Sequence, residues 1–221
     1  MTIHALIRLE LRKIGQYGFL LLSLLSMIAL RAFLEGFVGA ALLADVLLTC
    51  ILLSGIYALS NHALVSRFAC LLAVVIFLLK VAYYLSDKPI FFTLHTALSL
   101  LFITQMLVMI LKHLLTEKEV TGDLIMGGAC AFILLGIIWA YSYYLLEIFQ
   151  PNSFKGIEQQ SNDMTEFVYY SFVTLTTLGY GDILAVSKQA RGLTILEAIV
   201  GQLYLAIMVG QLVGLHAAKS R

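Results

Sequence analysis

Apolar residues run along this chain in long blocks separated by short polar breaks. A block of about 18 or more apolar residues is long enough to cross a bilayer as a helix. Six such blocks cover residues 17–34, 37–59, 64–85, 90–115, 122–148 and 190–216. The first breaks hold Glu35-Gly36, Ser60-Asn61-His62, Ser86-Asp87-Lys88-Pro89 and the polar residues 116–120. The fifth break, residues 149–189, is longer: Pro151 and Asn152 precede a polar run at 158–163 and then a semi-apolar stretch too short to span. Ser161, Asn162 and Asp163 are helix N-cap types. A helix of about 12–14 residues from there would reach roughly 20 Å, into a bilayer but not across it. The pattern predicts an all-α membrane protein of six transmembrane helices plus one re-entrant helix and loop.

Composition supports lipid as the solvent. The 221 residues are 61% hydrophobic and 12% charged, with a mean hydropathy of +0.96, about half the charged share of a soluble domain. A net charge of +1 gives no case for nucleic acid. Cys50, Cys70 and Cys130 are isolated within apolar runs, which is neither a disulfide framework nor metal spacing. His4, His62, His95, His113 and His216 are scattered, and no nucleophile or metal constellation suggests an enzyme or a cofactor.

Six spans place both termini on one side. Arg8, Arg12, Lys13, Arg67, Lys112, Lys118, Lys219 and Arg221 fall on that side, against Arg31, Lys88, Lys155, Lys188 and Arg191 on the other. The bias predicts cytoplasmic termini in a plasma (inner) membrane protein, with the long break outside. Ile3, Leu6, Ile7 and Ile14 with Arg8, Arg12 and Lys13 suit an amphipathic segment over residues 1–16, lying on the inner surface. A basic then apolar start also fits a signal peptide, but Arg31 and Phe33 stand where small residues would mark cleavage.

After the semi-apolar stretch come Thr176, Thr177, Leu178, Gly179, Tyr180, Gly181 and Asp182. Irregular backbone at membrane depth is tolerated only where protein buries it or where it lines a watery path. Gly179 and Gly181 alternate with Leu178 and Tyr180, and glycine reaches backbone angles that other residues resist. Such alternation lets successive carbonyls point to one side. Four strands around an axis would stack rings of oxygens that replace the water shell of a cation. The short helix would aim its partly negative C-terminal end at the same place.

The segment YYSFVTLTTLGYGD resembles the pore-helix and filter signature of the potassium channel superfamily. The resemblance implies potassium sites at Thr177, Leu178, Gly179, Tyr180 and Gly181, with Leu178 where Val or Ile is usual. It implies an outer-mouth carboxylate at Asp182 and filter support from Thr176 and from Tyr169 and Tyr170, which replace tryptophans of many members. Val173 stands where some bacterial channels carry an acid, so no carboxylate pair with Asp182 is expected. The last span resembles the inner helix, with Gly201 at the hinge position, twenty residues after Gly181. A close helix contact is the other reading of Gly201, and packing is favoured for Gly210 and Gly214. Gln202, Leu205 and Val209 would line the cavity. One chain carries one filter, so a homotetramer in the lipid bilayer is implied.

Residues 17–115 would form a four-helix unit and residues 116–221 the pore domain. Voltage-gated members carry an arginine row on the fourth span. Here that span has none, and Lys112 and His113 come only at its inner end. The segments at 120–140 and 195–216 bring the chain closer to six-span prokaryotic potassium channel proteins. Passive potassium flux without voltage gating is the expectation, against a weakly selective cation channel or a non-conducting scaffold. Asp45, Lys80, His95 and Arg31 fall in the outer halves of their spans, and Asp45–Lys80 is the expected pair. Glu197 could hydrogen-bond behind the filter or sit in the interface.

Overall fold

The computed structural model describes residues 16–33, 63–86, 88–117, 119–157 and 164–219. The expected span at 37–59, residues 1–15 of the surface segment expected at 1–16, Asp45 and the capping candidates Ser161, Asn162 and Asp163 lie outside them. The helices are α1 Gln16–Phe33, α2 Ala63–Ser86, α3 Pro89–Thr116, α4 Gly122–Phe149, the short α5 Thr165–Leu175 and α6 Lys188–Lys219. Among the described residues four stretches are long and apolar enough to cross a membrane: Phe68–Ser86, Pro89–Thr116, Gly122–Phe149 and Lys188–Leu215. Tyr17–Ala29 is a shorter apolar helix.

Local chemistry sets the boundaries. Pro89 opens α3, where its missing N–H costs nothing. Thr121 caps α4 by accepting the Leu124 N–H at 3.1 Å on its Oγ1. Asp123, in the first turn of α4, also accepts the Tyr17 N–H at 3.0 Å, which ties the start of α1 to the start of α4.

Helix α4 is the hub, packed against α1, α3, α5 and α6. Three of its glycines each receive a bulky side chain from a different neighbour. Tyr17 of α1 lies over Gly127, Met208 of α6 over Gly128, and Phe172 of α5 over Gly136. A Cβ on Gly136 would stand 2.8 Å from the Phe172 ring. Small residues let membrane helices approach this closely. The α3 face turned inward carries Phe102, Met106 and Ile110, all buried.

The long break contains a feature that the apolar pattern does not announce. Phe154–Lys155 (β1) pairs antiparallel with Leu184–Ala185 (β2), Phe154 opposite Ala185 and Lys155 opposite Leu184. This two-stranded clasp joins the chain leaving α4 to the chain entering α6.

Candidate functional site

Helix α5 sits between α4 and α6 and buries Phe167, Tyr170, Ser171, Val173 and Leu175. Its 11 residues rise about 16 Å, far short of a roughly 30 Å hydrocarbon core. The first described residue before it, Met164, makes no side-chain cap.

The chain then leaves the helix abruptly. Thr176 donates from its N–H and its hydroxyl to the Phe172 carbonyl, at 3.0 and 2.6 Å. Thr177 N–H reaches the Thr174 carbonyl at 2.9 Å, and the N–H groups of Leu178 and Gly179 share the Val173 carbonyl at 2.9 and 3.2 Å. The φ values of Thr177, Gly179 and Gly181 are +59°, +59° and +80°, so every second residue takes the left-handed region. For a β-branched threonine that conformation is costly and is held only when its surroundings over-determine it. Among the described residues, no hydrogen bond uses a carbonyl of residues 176–181 as its acceptor. Residues 176–182 are all exposed in the single chain. The loop thus offers a row of free carbonyl oxygens on backbone of alternating hand.

The two tyrosines expected to support this loop do different things. The Tyr169 ring stacks on Tyr180, centroids 6.4 Å apart and planes within 9°. Its hydroxyl donates to Asp182 Oδ2 at 2.5 Å, while the Ile183 N–H donates to Oδ1 at 3.0 Å. The Tyr169 hydrogen bond, helped by that N–H, holds the Asp182 carboxyl below the usual carboxylate range. Tyr170 instead turns away from the loop. It is buried, its hydroxyl lies 2.9 Å from Thr194 Oγ1 of α6, and its ring meets Tyr143 and Phe154.

The clasp supports the far end of the loop. Gly156, at φ +96°, packs directly against the Asp182 carbonyl, where a side chain has no room. Glu147 accepts the N–H groups of Asn152 and Ser153 at 2.7 and 3.0 Å, and Ser153 in turn accepts the Val186 N–H at 2.9 Å. Gly156 and Glu147 were not singled out by the sequence. Their only trace is a glycine and an acid flanking Pro151.

On α6, Gly201 is buried against the end of α5. A Cβ there would stand 2.8 Å from both the carbonyl oxygen and the Cδ1 of Leu175. The helix runs unbroken through this point. Gln202, Leu205 and Val209 are exposed in the single chain, and nothing approaches Gly210 or Gly214 within 4 Å. Among the described residues no cluster of His, Cys, Asp or Glu could hold a metal ion.

Residues 131–215 match a family model described as an ion channel. Over this segment the chain is similar to ion channels. The segment takes in most of α4, the clasp, α5, the loop and most of α6, the elements that build the site. Comparison with curated proteins and with solved structures returns no match. Together with the four apolar stretches long enough to span, this similarity supports an integral membrane protein.

Proposed function

We propose that the protein is a potassium-selective channel in which residues 177–181 of four identical chains form the ion sites. The observation that carries the reading is the alternating-hand loop with free carbonyls, set at the C-terminal end of a half-length helix. Carbonyl dipoles and the negative helix end both favour a dehydrated cation, and neither offers anything to an anion. A single loop surrounds nothing, so a closed ring of subunits is required, and four is the number such filters use. The exposed apolar residues Leu203, Ile207 and Val213 of α6 suit an inner helix facing partner chains, lipid or the pore. In this reading the pore is built from re-entrant α5, Asp182 stands at the outer mouth, and Gln202, Leu205 and Val209 line the cavity below.

The test is potassium efflux from liposomes holding the purified protein, with sodium as competitor. Wild type should pass potassium in preference to sodium. Gly179→Ala should abolish the preference while leaving membrane insertion intact, because a left-handed alanine costs about 1–2 kcal/mol at a site repeated around the ring, and Tyr180→Ala should do the same by removing the ring stacked on Tyr169. An unchanged preference in both variants refutes the filter assignment.

A further inference from the structure

Glu197 is fully buried at 0% exposure, one turn before Gly201 on α6. Its carboxyl meets side chains from two other helices. Oε1 lies 2.5 Å from the Ser171 hydroxyl of α5, and Oε2 accepts the Tyr143 hydroxyl of α4. Ser171 also stands 2.7 Å from the carbonyl oxygen of Gly136, on α4. Among the described residues no cation is paired with Glu197.

Counting hydrogens decides the chemical state of this cluster. The Ser171 hydroxyl has one proton and two oxygen neighbours, and the Gly136 carbonyl can only accept. If Glu197 were a carboxylate it too could only accept. One of the two Ser171 contacts would then face lone pairs with no hydrogen between them, and an uncompensated charge would sit in a buried site. If Glu197 carries its proton, it donates to Ser171, Ser171 donates to Gly136, and Tyr143 donates to Oε2. Every oxygen is satisfied and no charge is buried.

We propose that Glu197 is kept as a neutral carboxylic acid that locks α5 to both α4 and α6, and so acts as a positioning residue for the ion-site loop. The geometry gives this lock a direct line to the loop. Ser171 lies two residues before Val173, whose carbonyl takes the N–H groups of Leu178 and Gly179. The other titratable groups at the cluster are the hydroxyls of Tyr143 of α4 and Tyr170 of α5. The effect on selectivity rests on the proposed filter; the state of the carboxyl does not.

The experiment compares wild type, Glu197→Gln and Glu197→Ala in the same lipid. Infrared spectra at neutral pH should show a neutral-acid carbonyl stretch in wild type that disappears in Glu197→Gln. Glutamine can present its NH2 to Ser171 and its oxygen to Tyr143, so Glu197→Gln should keep potassium preference. Glu197→Ala should lose about tenfold of it, the scale of one buried hydrogen bond. Two results overturn the proposal: no acid band lost on Glu197→Gln, or a glutamine variant as impaired as the alanine one. A wild type without potassium preference would instead refute the proposed function, and the infrared comparison would still judge the carboxyl.

Discussion

At the scale of single residues, the outer end of the loop depends on one phenol. Tyr169 both stacks on Tyr180 and donates to Asp182, so a single side chain fixes the orientation of the loop's aromatic and the charge of its carboxylate. Because the folded-state pKa of Asp182 is lowered, the carboxylate and its bonds persist at ordinary pH and are lost only as pH falls through that depressed value. Tyr169→Phe removes the largest cause of the depression. Single-channel current recorded while the outer side is acidified should therefore fall at a higher pH in Tyr169→Phe than in wild type. In Asp182→Asn this titration should be missing altogether. Identical acid profiles in wild type and Tyr169→Phe would show that the hydroxyl does not control the carboxylate.

At the scale of elements, α6 is fixed to the rest of the chain at several levels. Glu197 meets α4 and α5, Gly201 meets the end of α5, and the Tyr204 hydroxyl donates to the Gly128 carbonyl at 2.6 Å. The contact at Gly201 is with backbone, which cannot swing aside. Gly201→Ala should therefore overpack the joint and cost about 1–3 kcal/mol. Thermal unfolding in detergent should show a lowered Tm for this variant. A bending role alone would leave Tm unchanged and alter only the open probability, so the two readings of this glycine separate in one pair of measurements. Further along, Gln211 donates from Nε2 to the Leu114 carbonyl at 2.7 Å, which joins α6 to the last turn of α3.

At the scale of the whole molecule, the question is what the front helices contribute. Moving one charge through the membrane field is worth roughly 2.3 kcal/mol per 100 mV, and steep gating needs several such charges in each subunit. The body of α3 holds no arginine, and its one lysine, Lys112, lies in the last turns. Open probability in planar bilayers with symmetric potassium should therefore change only weakly with voltage. A sigmoid dependence equivalent to several gating charges would mean that the front helices sense the field. Their packing fits a support for the proposed pore: α1 is docked on α4 through Tyr17, and α3 lies along α4.

The apolar helices and the irregular loop after α5 are legible in the sequence alone. Lipid demands an uninterrupted apolar run for each span, so the runs beginning near residues 17, 64, 90, 122 and 190 reappear as α1, α2, α3, α4 and α6 within a few residues. The loop was legible because its chemistry is backbone chemistry, and the glycines that permit it stand in the sequence as themselves. Which side chains meet is set by the packing of the helices. Hydrophobic periodicity has little power in helices that are apolar all round, so it could not separate Tyr169, which faces the loop, from Tyr170, which faces α6 and α4. It could not choose Ser171 and Tyr143 as the partners of Glu197, nor pair β1 with β2 across the break. Those contacts join residues as far as 54 positions apart, and only the packing of α4, α5 and α6 brings them together.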